Sequence, residues 1–586
     1  MSAARESHSD AARSHRTLRL PVWVTVALGM VIAVTGLLLI TRPFASVGLL
    51  VLTLSVGSML AAVVELVTWI TAGRHAGRWL HLLLAPLLLA LGVVMLTVPG
   101  VTVGLVAILF GWALIALGVA DLLRVLLERE GRAARLMGGL AAVVFGVVAL
   151  TWPDVTVLAI GALFGVWLLV SGIRLVLAVS RREPFQQEGR PRPRSWPRTV
   201  VSASALVVAV ALALLGARLM GTPIPDAFYA PPAEIPDQPG VLLRAEPFTR
   251  AIPEGSTAWR ILYTTTRDEG VPAISSGLVV VPNGVEDAPT IAWAHGTTGA
   301  AESCAPTLLP DPFVSGAMPN TEEVLLNGWA IVATDYVGLG ADPPHPYLVG
   351  QAAARSVLDA VRASRQLADA SLGDKVVVWG HSQGGAAALW TGGLAPSYAP
   401  ELDIAGVAAM APAANLPAMI EQLADGPAGT IVGPLVLAGY AAHYADVHVE
   451  DYLLPAATLT FQETVARCWS DSAFIVSVLG TTVMDRPIWT QDPSDGPLGA
   501  RLEHNVPRLP IEAPLLLAQG LTDTLVSATA QQRYVEELCA SGQQVDFRGF
   551  EGKDHMGVVT GDSPLLGQLM EWTQDRLDGA PPIDTC

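Results

Sequence analysis

Charge is what this chain of 586 residues has least of: 15% of its residues are Asp, Glu, Lys or Arg, against 52% hydrophobic ones, and the mean hydropathy is +0.47. Soluble domains carry about 25% charged residues and disordered chains more, which excludes both a wholly soluble and a disordered protein. Lysine and cysteine are absent from the first 220 residues, where 19 arginines and 9 acidic residues leave a net charge of +10. The remainder holds 16 basic and 43 acidic residues, a net charge of −27. A phosphate backbone needs a basic face, so the acidic half is expected to take no nucleic-acid partner. All four cysteines, Cys304, Cys468, Cys539 and Cys586, fall in that half. An even count there points to two disulfides and an oxidising compartment, with the pairing left open.

What fills the first half is long apolar sequence. A transmembrane helix needs about 20 such residues to cross a roughly 30 Å hydrocarbon core. Seven stretches qualify, near 21–40, 47–70, 79–98, 102–122, 136–152, 156–179 and 199–217. The first is too long, and too poorly followed by a cleavage site, for a removed signal peptide. Arginine is retained on the cytoplasmic side of short loops. Arg5, Arg13, Arg16 and Arg19 precede the first run, Arg74 and Arg78 follow the second, Arg129, Arg132 and Arg135 the fourth, and Arg181 to Arg198 the sixth. The N-terminus is therefore expected inside and everything after residue 220 outside. The expected order is a cytoplasmic tail 1–19, six helices in 20–180, a cytoplasmic Arg/Pro-rich loop 181–198 and a seventh helix 199–217.

Gly36 to Pro43, Gly92 to Pro99 and Gly146 to Pro153 all read Gly, three residues, Leu or Ile, Thr, any residue, Pro. The period of 54 to 56 residues makes each repeat a two-helix hairpin, with small residues allowing close helix approach. On these motifs, residues 20–180 resemble the short-repeat membrane family that includes the HdeD acid-resistance proteins, which implies an architecture and at most a link to stress. Glu65, Asp121 and Arg174 lie near cytoplasmic helix ends and read as interfacial side chains rather than a transport site.

Residues 221–240 contain six prolines and read as an extended linker. Beyond it, short β-branched runs at 276–281, 290–294, 330–334, 375–379, 404–410 and 514–518 alternate with amphipathic stretches at 350–368, 384–394 and 527–540. That is the pattern of a mostly parallel sheet covered by helices on both faces. The run 375–379 leads into Gly380-His381-Ser382-Gln383-Gly384 and then an alanine-rich helix. A nucleophilic serine needs such a strained turn between strand and helix, so Ser382 is the candidate nucleophile and Gly380 and Gly384 let the chain pack around it. The acid and the histidine follow in chain order. Asp523 ends a loop after the strand 515–518, and His555 lies in the loop after a last strand 545–550; Asp554 competes as the acid. The oxyanion donors expected are the amide of Gln383 and one in the loop Trp293 to Gly299, either Thr297, which is preferred, or Gly296. The remaining histidines, His295, His345 and His381 among them, read as packed or solvated. None has metal-ligand spacing, so no metal is expected, and the triad chemistry needs no cofactor.

The elbow, together with Phe228-Tyr229, Leu242-Leu243-Arg244, Cys304-Ala305-Pro306, Asp335 to Gly340 and His345-Pro346-Tyr347, resembles the secretory lipase family of α/β-hydrolases over about residues 225–580. The resemblance implies ester hydrolysis with lipids or other acyl esters as substrates. About 100 residues, 413–510, do not fit the core alternation and read as an inserted helical cap. Its Ile420, Ile431, Leu435, Tyr440, Phe461, Trp469, Phe474, Ile488 and Trp489 suit a lid and acyl tunnel, or equally its own core. Cys304 with Cys468 would tie the cap to the oxyanion loop, and Cys539 with Cys586 would fix the tail. The expected fold is thus multidomain: an all-α polytopic membrane domain of seven transmembrane helices, a Pro-rich linker 218–240, and an α/β-hydrolase domain 241–586 with a helical cap. The expected function is a membrane-anchored extracytoplasmic serine hydrolase of carboxylic esters. An acyltransferase or peptidase on the same triad, or a stress sensor with a ligand-binding hydrolase-like domain, is the alternative.

Overall fold

A computed structural model describes residues 22–41, 43–71, 78–97, 99–127, 131–180, 195–219, 223–268, 270–424, 426–483 and 487–586. The expected tail 1–19 and most of the Arg/Pro-rich loop, 181–194, lie outside the described residues, as do Arg74 and Arg129. Among the described residues seven helices come first: α1 Val22–Thr41, α2 Pro43–Thr71, α3 Arg78–Thr97, α4 Pro99–Leu127, α5 Arg132–Thr151, α6 Pro153–Ser180 and α7 Ser195–Leu219. Among the described residues, stretches of α1, α4, α5, α6 and α7 are long and apolar enough to cross a membrane, and α2 and α3 hold shorter apolar stretches, Ser55–Val67 and Leu82–Thr97.

The repeated motif has a local cause at each of its positions. Pro43, Pro99 and Pro153 are the first residues of α2, α4 and α6, where the missing N–H costs no hydrogen bond. Thr41, Thr97 and Thr151 end α1, α3 and α5, and each hydroxyl donates to the carbonyl four residues back, Leu37 at 2.9 Å, Val93 at 3.0 Å and Val147 at 3.2 Å. The glycines serve tertiary contact. A Cβ on Gly36 would lie 2.5 Å from the Gly165 carbonyl oxygen of α6, one on Gly92 2.8 Å from that of Ser55 in α2, and one on Gly146 2.7 Å from that of Gly111 in α4.

These contacts place the close helix approach between repeats rather than within one. The two helices joined by a proline turn touch little; instead α1 packs along α6, α3 along α2 and α5 along α4. Helix axes pack 8–10 Å apart, which a single residue of about 3.8 Å between two helices does not span, so the hairpin splays and its partner comes from another repeat. The long helices α2, α4 and α6 make only small contacts with one another, and α7 packs along α5.

The second half forms one nine-stranded sheet in the order β1-β2-β3-β5-β4-β6-β7-β8-β9. Its strands are β1 Leu242–Pro247, β2 Ser256–Asp268, β3 Val271–Pro282, β4 Ala288–Ala294, β5 Ala330–Thr334, β6 Leu372–His381, β7 Asp403–Met410, β8 Leu515–Gly520 and β9 Asp546–Phe550. From β5 through β9 the neighbours are parallel, and β1, β2 and β3 add an antiparallel edge. The sequence pattern did not reveal β1 or β2. The cause in β2 is its threonines: Thr264, Thr265 and Thr266 are buried, and the Thr265 hydroxyl donates to Asp359 at 2.8 Å, so a buried strand reads as polar. The Pro-rich segment is anchored, with Phe228 and Tyr229 buried against Leu262 and Ile274.

Between β7 and β8 lie the helices Leu416–Leu423, Gly429–His443, Val449–Tyr452, Thr458–Ala466, Phe474–Val483 and Gly496–His504. Ile420, Leu435, Tyr440 and Ile488 form this insertion's own core, packed on Tyr347 and Leu348. Two disulfides join Cys304 to Cys468 and Cys539 to Cys586.

Candidate active site

Three strands deliver three side chains to one place, each from a loop at the strand's C-terminal end. Ser382 sits between β6 and the helix Gln383–Tyr398 with φ 58° and ψ −118°, a conformation costly for any residue with a Cβ. The surroundings hold it there. Its amide donates to the Met410 carbonyl at 2.9 Å, and its carbonyl accepts from the Ala413 amide at 3.0 Å. The glycines around it are steric necessities: a Cβ on Gly384 would lie 1.9 Å from the Ala294 oxygen, and one on Gly380 2.0 Å from the Gly384 oxygen.

The His555 Nε2 lies 2.8 Å from the Ser382 Oγ, and its Nδ1 donates to the Asp523 Oδ2 at 2.8 Å. Asp523 is itself held: Oδ1 accepts from the Leu525 and Val526 amides at 2.9 and 2.8 Å, and Oδ2 also accepts from the Gln519 side chain at 3.0 Å. Asp554 is exposed and its carboxylate accepts from the Gly557 amide at 2.7 Å, away from the imidazole. A serine, an imidazole and a carboxylate in this chain of hydrogen bonds can pass the hydroxyl proton to nitrogen while the carboxylate stabilises the cation that forms.

The site opens into a cleft of about 460 Å³ lined by Gly296, Thr297, Pro310, Val314, Trp469 and Met556 as well as Ser382 and His555. Of the aromatic and apolar residues expected to line an acyl tunnel, Trp469 alone is among the cleft's lining. Gly296 and Thr297, left as alternatives by the sequence, now differ. The Gly296 amide donates to the Gly316 carbonyl at 2.9 Å, whereas among the described residues no hydrogen bond engages the Thr297 amide. The Thr297 hydroxyl is tied to the Tyr347 hydroxyl at 2.7 Å.

Beneath the site lie histidines that sequence reasoning passed over as merely packed. His381 donates from Nε2 to the His555 carbonyl at 2.9 Å and so fixes the loop that carries the imidazole. His345 donates from Nδ1 to the Val337 carbonyl at 2.9 Å, and its Nε2 accepts from the Gln383 side chain at 3.1 Å. Burial pushes both imidazoles down to about 3, and His295 down to about 4, so all three are neutral at pH 7. Adjacency to Ser382 was the one sequence signal for His381, and the His345-Pro346-Tyr347 motif of the family resemblance was the one for His345. Asp335 is also buried and pushed up to about 6 by that burial, against hydrogen bonds from Ser276 and Thr307.

Residues 318–585 match the secretory lipase family, and residues 27–97, 83–143 and 137–191 each match a short repeat of unknown function, DUF308. A secreted triacylglycerol lipase of Malassezia globosa is 26% identical over 417 residues, covering 66% of this chain and 88% of that one. A probable inactive lipase of Mycobacterium tuberculosis is 25% identical over 393 residues, covering 62% and 84%. Among solved structures, Candida antarctica lipase A in its closed state superposes with a TM-score of 0.53 at 20% identity, covering 63% of this chain and 89% of that one.

Proposed function

We propose that this carboxylic ester hydrolase, a secretory lipase domain carried behind short membrane repeats, is anchored in the cell membrane and cleaves lipid esters on the extracytoplasmic face through Ser382, His555 and Asp523. The observation that carries the reading is the pair of 2.8 Å contacts running from the Ser382 hydroxyl through His555 to Asp523. The relatives named as lipases agree with a lipid ester as substrate.

In this reading the Ser382 Oγ attacks the ester carbonyl carbon while its proton passes to the His555 Nε2. Asp523 keeps the Nδ1–H tautomer in place and balances the imidazolium. The oxyanion is met by the amides of Gln383 and Thr297, a preorganised pair of the kind that contributes about 10²–10³ in turnover per donor. The imidazolium gives its proton to the departing alcohol, leaving an acyl group on Ser382. Water, deprotonated by the same nitrogen, then releases the acid. No cofactor enters the cycle.

Hydrolysis of p-nitrophenyl esters from butyrate to palmitate by the full chain in detergent, beside Ser382→Ala, tests this. Expected is turnover that the substitution lowers by about 10³–10⁶. Equal turnover by the two would refute the assignment. A long-chain optimum supports a lipase, and a short-chain optimum restricts the reading to an esterase.

A further inference from the structure

The helical insertion is seated on the membrane helices, at the end where α1, α3 and α5 give way to α2, α4 and α6. The segment Pro455–Ala457 touches α2 and α4, and the helix Thr458–Ala466 touches α4 and α6. Leu459 is buried between Ala107 of α4 and Val157 of α6.

At the rim of this seat lies an ion cluster that joins the two halves of the chain. Arg467 Nη2 is 2.9 Å from the Asp154 Oδ2 at the start of α6, with both side chains about nine-tenths buried. The same nitrogen is 2.9 Å from the Glu463 Oε2, Nη1 donates to the Ser477 hydroxyl at 3.1 Å, and the guanidinium lies 5.6 Å from the Trp152 ring centre. Asp154 is held from its own side, because its Oδ1 accepts from the Val155 amide at 2.8 Å. The residues beside the proline vary from repeat to repeat, Arg42-Pro43-Phe44, Val98-Pro99-Gly100 and Trp152-Pro153-Asp154, and the third alone carries an acid there, the one that meets Arg467.

Arg467 leads directly to the catalytic cleft. Cys468 is bonded to Cys304, the Trp469 amide donates to the Thr298 carbonyl at 2.8 Å, and Trp469 and Ser470 line the cleft beside Ser382. Gly299 fits so tightly here that a Cβ would lie 2.5 Å from the Cys304 Sγ and 3.2 Å from the Cys468 Cα. The loop that presents the Thr297 amide is thus braced by the residues that follow Arg467.

We infer that Asp154, in the first turn of a membrane helix, is a positioning residue for ester hydrolysis: it fixes Arg467 and through residues 468–469 holds the oxyanion loop against Ser382. The membrane repeats then serve as a socket that completes the geometry of the site, beyond tethering it. The inference rests on the ester-hydrolase reading of Ser382. Asp154 suits a test because its removal leaves Arg467 paired with Glu463, so the insertion keeps its internal ion pair while the link to α6 is lost.

The experiment uses the full chain in detergent as wild type, Asp154→Ala, Asp154→Asn and Asp154→Glu. Active serines are counted with a fluorophosphonate, and kcat per labelled serine and KM are measured on p-nitrophenyl butyrate. Expected is a fall in kcat per labelled serine of about tenfold for Ala and Asn with KM within about twofold, since small displacements of catalytic groups cost 10- to 100-fold, and recovery to within about threefold in Glu. Unchanged kcat per labelled serine in Ala and Asn, even with fewer serines labelled, would overturn the inference and leave Asp154 an anchor only. A loss that Glu shares in full would overturn it as well. A wild type that neither labels nor turns over would refute the hydrolase reading itself, and is distinguishable for that reason.

Discussion

The two halves of the chain use glycine and burial in opposite ways. In the sheet half, Gly380 and Gly384 clear space for one strained serine, and the core is filled by large side chains such as Trp293 and Trp379. In the helical half, Gly36, Gly165, Gly111 and Gly146 are the contact, backbone against backbone, while Trp23, Leu83 and Leu127 face outward, 73%, 70% and 84% exposed. That is the packing a bilayer requires, where helices gain no hydrophobic drive from one another and close approach of small residues replaces the burial of large ones. The lesson is that polar detail matters in one half and backbone clearance in the other.

The strongest way to break that contrast is to alter a buried polar group in the sheet half. Asp523→Asn should lower kcat on p-nitrophenyl butyrate by about 10³–10⁴ because the imidazole loses its oriented tautomer, whereas Asp554→Asn should stay within about twofold. Comparable losses from both would mean that the buried network around Asp523 is not what orients His555. In the helical half a methyl group should suffice. Gly36→Ala places a Cβ 2.4 Å from the Leu169 backbone nitrogen and should lower the melting temperature in detergent by several degrees. Gly57→Ala, whose Cβ would meet nothing within 4 Å, should leave it unchanged.

A smaller effect sharpens the same contrast through pH. His345 is pushed down to about 3 in the folded chain and titrates near 6.5 when unfolded, so between these values the unfolded chain binds a proton that the folded one refuses. Its contribution to stability is therefore lost as pH falls below about 6.5. His295 and His381 act in the same sense. Asp335 and Asp359, both pushed up to about 6 by burial, act in the opposite one, holding a proton in the folded state and losing stability as pH rises from about 4 to 6. His345→Gln should make the fall in denaturation midpoint between pH 6 and 4 shallower by about one proton. An unchanged slope would show that His345 does not carry this acid sensitivity.

Much of the candidate site's geometry was legible because its signals are local. A strand, a tight Gly-rich turn and a helix bracket Ser382 in consecutive residues, and Asp523 and His555 each follow a strand in the chain order such folds require. The strands rich in Val, Leu and Ala were visible for the same reason, while β2 was hidden by its buried threonines. What stayed illegible depends on partners far away in sequence. Thr297 and Gly296 are neighbours, and only the bond from Gly296 to Gly316 separates them. His345 meets Gln383 across 38 residues, and Arg467 meets Asp154 across 313, neither with any spacing signal. The repeat showed where helices turn but not which helices pair, because each repeat glycine meets the backbone of a helix from another repeat, Gly36 at Gly165, Gly92 at Ser55 and Gly146 at Gly111.

The central claim is that Ser382 is the group that becomes acylated. Peptide mapping of the full chain after reaction with a fluorophosphonate tests it most directly. The account predicts one adduct per chain, on the peptide containing Ser382, and none once Ser382 is alanine. An adduct on another serine, or a chain that ends β6 in the same turn yet takes up no label, would contradict it.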